Sequence, residues 1–108
     1  MEGLYLVHTC EFLTSDIPIY KIGRNNNINK VILQYSNGSQ LLFISICKNS
    51  KLCEQKLIEI FKQKFTHENV YGNKYYSGDC NDMIDVMYNY IKLHNKQNIE
   101  KEQLELQI

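Results

Sequence analysis

The chain is poor in several residue types, and each scarcity excludes something. Its 108 residues include a single arginine, Arg24, a single proline, Pro18, and no tryptophan. No run of eighteen apolar residues occurs, which excludes a membrane-spanning helix. Twelve basic side chains balance twelve acidic ones, so the formal net charge is zero. Tight, non-specific binding to nucleic acid normally requires a clearly basic domain, so any contact with a polyanion must be local or must use a metal.

The cysteines are few and contain no C-x-x-C pair. The first residues lack the basic region of a secretory signal, which predicts an intracellular, reducing compartment and free thiols. A zinc site can be drawn from Cys47, Cys53, Cys80 and His67, but their spacing matches no standard zinc motif. The sequence therefore favours half-buried free thiols at Cys10 and at the other three cysteines.

The hydrophobic pattern predicts a single α+β domain in residues 1–94, followed by a polar tail in residues 95–108. The predicted strands are Gly3–Thr9, Ile19–Gly23 and Leu41–Cys47, and the predicted helices are residues 28–35, Ser50–Phe65 and Asp79–Leu93. The order β-β-α-β-α-α indicates a small, mostly antiparallel three-stranded sheet with flanking helices. The tail is predicted to be a loosely docked helix, a partner-binding segment or a disordered segment.

The stretch Pro18–Arg24 combines an apolar strand, a glycine and the only guanidinium of the protein. Arginine offers a rigid fork that matches phosphate or carboxylate oxygens, which lysine lacks. Arg24 is therefore a candidate anion contact, and the ordinary alternative is a surface arginine after a turn. His8 lies three residues from Tyr5, on the opposite face of a regular strand, and we expect it at the surface.

Two short motifs lie on the first two predicted strands. Gly3-Leu4-Tyr5 is on the first, and Tyr20-Lys21-Ile22-Gly23-Arg24 is on the second. Together with the element order they resemble the GIY-YIG nuclease superfamily, most closely its small phage and viral branch named after a phage T5 open reading frame. The resemblance covers about Gly3 to Tyr88. It implies a metal-dependent endonuclease or phosphodiesterase that uses Mg²⁺ or Mn²⁺ on nucleic acid, with DNA favoured, inside a host cell.

The resemblance also implies roles for individual residues. Tyr5 would help to activate the attacking water, and Lys21 would orient or neutralise a phosphate. Glu54, on the helix after the third strand, would bind the metal, since one carboxylate suffices for an ion that keeps most of its waters. The ordinary alternatives are a half-buried strand tyrosine, a solvated strand lysine and a glutamate that pairs with a lysine.

The sequence departs from the family pattern at two positions. Superfamily members place a phosphate-binding arginine on the helix after the second motif, and the alignment puts Val31 there. Lys30 is adjacent, but one residue along a helix is a rotation of about 100°, so it points elsewhere. Arg24 is then the candidate for the missing guanidinium. Lys74 stands where the branch usually has glutamate.

These departures leave a second function open, that of a nucleic-acid-binding or protein-binding module that keeps the fold without cutting. Its contacts would be Lys21, Arg24, Lys30 and Lys74, with the rings of Tyr75 and Tyr76. Aromatic faces can stack on unpaired bases. A purely structural tyrosine cluster explains the same residues equally well.

Overall fold

The computed structural model describes residues 1–35 and 38–106, and it confirms the α+β class. The elements are β1 (Gly3–His8), α1 (Cys10–Thr14), β2 (Ile19–Asn25), α2 (Asn29–Gln34), β3 (Gln40–Ile46), α3 (Ser50–Lys64), β4 (Thr66–His67), β5 (Tyr75–Ser77) and α4 (Cys80–Leu106). Each predicted strand and helix is present within a few residues of its predicted bounds, apart from the C-terminal end of α4.

The sheet has five strands in the order β3-β1-β2-β5-β4, and every neighbouring pair is antiparallel. The predicted count of three strands was therefore too small, although β3, β1 and β2 form the larger part of the sheet. β5 pairs with β2 only at Ile19, Tyr20 and Lys21. The segment Gly23–Asn25, which we call the open end of β2, continues beyond β5.

The side chains of β1 alternate between two clusters on opposite faces of the sheet. Leu4 and Leu6 belong to the larger core, which α3 and α4 cover. Tyr5 and Val7 belong to a smaller core under α2. A strand buried on both faces lacks a polar side, which explains why β1 is almost continuously apolar in sequence.

The last helix, α4, is longer than predicted. The predicted boundary between residues 94 and 95 falls inside it, because no glycine or proline stops the helix between Cys80 and Leu106. The extension docks through polar contacts, namely Lys48 Nζ to Glu102 Oε1 at 2.7 Å and Asn95 Nδ2 to the Ile46 carbonyl at 3.2 Å. Residues 107 and 108 of the predicted tail lie outside the described part. Among the described helices, none combines the length and apolarity needed to cross a bilayer.

The expectation of a surface position for His8 was wrong. Its side chain is buried, its Nε2 donates to the Ile17 carbonyl at 2.7 Å, and its ring packs against Tyr20 with centroids 4.5 Å apart. The sequence did not predict the short helix α1. The chain that follows α1 brings the Ile17 carbonyl to the imidazole at the end of β1, where it accepts the hydrogen bond.

Tyr20 makes the stability of the fold depend on pH in the alkaline range. Burial, followed by its hydrogen bond with Cys80, raises the pKa of Tyr20 from 10.0 to about 12. The unfolded chain therefore loses this proton first, and the free energy of unfolding should fall as the pH rises from 10 through about 12. We expect Tyr20→Phe to reduce that slope in urea unfolding measured across this range. A slope equal to that of the wild type would contradict the assignment.

Candidate functional site

The phenol of Tyr5 lies directly over Gly23, its register partner on β2. A Cβ at position 23 would stand 2.4 Å from both the Cζ and the hydroxyl oxygen of Tyr5. Only a residue without a side chain leaves room for the ring there. The two motifs of the sequence are thus in contact at the open end of β2.

Two further side chains surround this phenol. The Tyr5 and Tyr35 hydroxyls are hydrogen-bonded at 3.2 Å, and Lys21 Nζ donates to the Tyr35 hydroxyl at 3.3 Å. The Lys21 ammonium also lies 5.9 Å from the Tyr35 ring centroid and 5.8 Å from that of Tyr75, which are cation–π distances. The sequence analysis missed Tyr35 as a site residue, since it ends a helical pattern and belongs to no motif.

Burial, followed by the hydrogen bond to Tyr35, raises the pKa of Tyr5 well above its usual value of 10.0. The charges of Tyr35 and Glu54 make smaller contributions in the same direction. Tyr5 is therefore protonated at neutral pH. It can donate a hydrogen bond to a ligand but is a poor proton acceptor.

Glu54 is a nearly buried carboxylate near the start of α3, with a side chain that is 10% exposed. Lys74 Nζ donates to both of its oxygens, at 3.1 and 3.0 Å. This ion pair joins α3 to the turn before β5, across twenty residues of chain. The predicted metal ligand thus accepts an ammonium, which a metal ion would have to displace.

The side chain of Arg24, on β2, contacts the beginning of α3. Its Nε donates to Ser50 Oγ at 3.0 Å and its Nη2 to Asn26 Oδ1. Ser50 precedes Glu54 by four residues, which places the guanidinium about one helical turn from the carboxylate. Arg24 and Lys21 lie three positions apart on a strand, so they point to opposite faces of the sheet and do not meet.

Lys30 and Val31, which are neighbours on α2, have contrasting positions. Val31 is fully buried in the small core with Tyr5, whereas Lys30 is exposed and points away from it. The inward position that a family arginine would occupy is therefore apolar. Lys30 is separate from the cluster around Tyr5. It could contact a nucleic acid only if the bound molecule extended beyond that cluster.

The prediction that Tyr76 stacks on bases is wrong. Its side chain is fully buried, its ring packs edge-on against Phe61 at 5.3 Å, and its hydroxyl donates to the Asn73 carbonyl at 3.3 Å. Tyr75 is half-buried on the other face, beside Lys21. Strand alternation separates the two rings, and only that of Tyr75 is partly open to a ligand.

The zinc set drawn from the sequence is not brought together. The His67 Nε2 bonds to the Asn73 carbonyl at 3.0 Å, and its ring stacks on Tyr76. Cys47 and Cys53 do meet, but with His94 as their third neighbour. Glu54 belongs to no group of three or more such ligands among the described residues. It fits Mg²⁺ or Mn²⁺ only as a one-carboxylate site completed by water and phosphate oxygens.

The candidate site, which we call the Tyr5–Glu54 cluster, has two parts. Tyr5, Tyr35 and Lys21 are joined by hydrogen bonds on the α2 face of the sheet, and Glu54 is paired with Lys74 on the α3 side. The cluster contains three of the four predicted catalytic residues, and Arg24 lies outside it. Comparison with protein-family models, curated proteins and solved structures gave no match to this chain.

Proposed function

We propose that this domain is a metal-dependent phosphodiesterase that acts on nucleic acid, with DNA as the first substrate to test. The observation that supports this most is Glu54, a nearly buried carboxylate on α3 whose two oxygens both accept hydrogen bonds from Lys74, at 3.1 and 3.0 Å. The Lys74 side chain is 39% exposed, so the cost of burial falls mainly on the carboxylate, and an ion pair seldom repays that cost in full. We infer that a ligand which binds this carboxylate accounts for its nearly buried position.

In this proposal Glu54 and Lys74 exchange partners when substrate binds. The ammonium of Lys74 leaves the carboxylate for a phosphate of the backbone, and Glu54 becomes the protein ligand of Mg²⁺ or Mn²⁺. Each charge keeps an opposite charge beside it throughout, so neither is left buried and unpaired. The bound ion would polarise the phosphoryl group and lower the pKa of its water.

The other side chains position the substrate. Tyr5, which remains protonated, donates a hydrogen bond to the attacking water or to a phosphate oxygen. Lys21 adds a positive charge beside the same phenol, through its hydrogen bond to Tyr35. Arg24, on β2, donates to Ser50, which lies one turn before Glu54 on α3, and in this proposal it contacts a neighbouring phosphate.

A second candidate function is binding without cleavage. The observation that favours it is the ion pair itself, because Lys74 already neutralises the carboxylate at 3.0 Å. The buried Val31 adds to this, since it cannot stabilise charge that develops on a phosphate. Losing one such electrostatic contact typically costs about 10²–10³-fold in rate. In this version Lys21 and Lys74 bind phosphates and no bond is broken.

Glu54→Gln is the variant that tests the proposal, because it removes the charge but keeps the shape and one acceptor for Lys74. Labelled single-stranded and duplex DNA and RNA are incubated with Mg²⁺, with Mn²⁺ or with a chelator. We expect metal-dependent cleavage by the wild type and a loss of at least about 100-fold in Glu54→Gln. Glu59→Gln, an exposed glutamate of the same helix, is the matched control and should cleave normally.

Equal cleavage by the wild type and Glu54→Gln would overturn the metal role of this carboxylate and indicate a contaminating nuclease. No cleavage by either, together with salt-sensitive binding that Lys74→Met weakens, would favour the binding module instead. No cleavage and no binding would reject both functions.

A further inference from the structure

A second polar cluster lies on the other side of Glu54, and the Tyr5–Glu54 cluster does not use it. Cys47 follows β3, Cys53 lies in the first turn of α3, and His94 lies in the middle of α4. The two sulfurs and a ring nitrogen of the histidine all lie within 4.8 Å of one another. All three side chains are buried, at 0%, 0% and 7% exposure.

We propose that Cys47, Cys53 and His94 bind one Zn²⁺ ion that joins β3, α3 and α4. Zinc–sulfur and zinc–nitrogen bonds of about 2.3 and 2.0 Å place tetrahedral ligand atoms roughly 3.5–3.8 Å apart. The observed limit of 4.8 Å is about 1 Å wider. A movement of about 1 Å by these side chains would bring the three ligand atoms to that spacing.

The imidazole is already oriented as a ligand. His94 Nε2 lies 2.7 Å from the Lys48 carbonyl, which can only accept a hydrogen bond, so Nε2 carries the proton. In the neutral ring the lone pair is then on Nδ1, the nitrogen that would bind the metal. Ligating histidines typically donate their other N–H to a carbonyl or carboxylate in this way.

The charge and chemical type of the three ligands favour Zn²⁺. Two thiolates and a neutral imidazole around a divalent cation sum to zero, which suits a buried site. Thiolate and imidazole are ligands for zinc, whereas Mg²⁺ and Mn²⁺ prefer oxygen. Binding releases the two thiol protons to solvent, and a water completes the fourth position. The site is thus distinct in chemistry from the proposed role of Glu54.

Its position also gives the ion a structural effect. Beyond Ile91, which is buried in the larger core, α4 is held by polar contacts such as the Lys48–Glu102 ion pair, which is largely exposed. Exposed ion pairs contribute about 0–1 kcal/mol. A metal bound to His94 would fix the middle of α4 far more firmly.

The test is titration of the reduced, full-length protein with Co²⁺ and Zn²⁺ alone, in the absence of oxygen. We expect one Co²⁺ per chain, with the visible bands of a tetrahedral ion and a thiolate charge-transfer band, displaced by one equivalent of Zn²⁺. Zn²⁺ should also raise the midpoint of thermal unfolding. Wild type without these bands would overturn the proposal without reference to any variant.

His94→Gln is the key variant, because its side-chain amide can still donate to the Lys48 carbonyl while the imidazole lone pair is lost. We expect its zinc affinity to fall at least about 100-fold, since even changes outside the ligand shell cost 10–100-fold. Cys53→Ser should lose the charge-transfer band. Cys10→Ser, which alters an exposed cysteine, is the control and should bind like the wild type. Wild-type affinity in both His94→Gln and Cys53→Ser would overturn the site. None of these measurements depends on cleavage, so the result is independent of the proposed function.

Discussion

Replacing Gly23 by alanine is expected to lower the free energy of unfolding by about 1–3 kcal/mol, the usual cost of overpacking. The direction is informative, because glycine inside a strand is normally about 0.5–1 kcal/mol less stable than alanine. The φ of Gly23 lies outside the left-handed region, so the backbone would accept a side chain. The obstacle is the Tyr5 phenol at 2.4 Å, which must move and lose its bond to Tyr35.

The measurement is urea unfolding of a double-mutant cycle with Tyr5→Leu. Leucine lacks the ring atoms that a Cβ at position 23 would meet, so alanine there should be neutral or stabilising in the Tyr5→Leu background. If the proposed function is correct, Gly23→Ala should also reduce cleavage by about 100-fold, because it displaces the phenol by roughly 1 Å or more. Stabilisation of the wild-type background by Gly23→Ala would refute the close approach of the two motifs.

Phe61→Ala is expected to destabilise the fold by about 3–5 kcal/mol, a large share of the 5–15 kcal/mol typical of a domain. Phe61 is fully buried on α3, and its ring packs against Phe65 and Tyr76 with centroids 4.9 and 5.3 Å apart. Truncation removes both aromatic contacts and leaves a cavity between α3 and β5. Urea unfolding should show a lower midpoint at an unchanged slope.

Val70→Ala is the matched control for this measurement. Val70 is 92% exposed in the loop between β4 and β5, so its truncation should change the free energy of unfolding by no more than about 0.5 kcal/mol. A similar small effect for Phe61→Ala would mean that the core is not organised around the face of α3 described above.

Periodicity was sufficient to predict the larger elements. The stripe on Ser50–Phe65 predicted α3, and the apolar run Leu41–Cys47 predicted β3. It could not predict β4 and β5, because strands of two and three residues are too short for an alternating pattern. β5 forms because it pairs with β2, and β4 forms because it pairs with β5, which are tertiary effects.

The candidate site was predictable in its motif residues and not in their partners. Tyr5, Lys21 and Glu54 came from the resemblance, but the ion pair of Glu54 with Lys74 joins residues twenty apart. The sequence likewise offered no way to choose His94 over His67 as the neighbour of the cysteines. That choice depends on where α4 crosses the end of β3. Composition and local sequence pattern do not show where two distant elements cross.

The beginning of α3 also limits how this protein can evolve. Ser50 contacts Arg24 and the Glu2 carboxylate, Cys53 lies against Cys47, and Glu54 pairs with Lys74, all within five consecutive residues. A one-residue insertion within this turn would rotate the side chains on either side of it by about 100° relative to one another. We therefore expect an insertion or deletion here to break several contacts at once, whereas a single substitution removes one contact. A lineage that lost one of the functions proposed for this turn would still retain much of its sequence, because the same few residues connect the N-terminus, the sheet and both long helices.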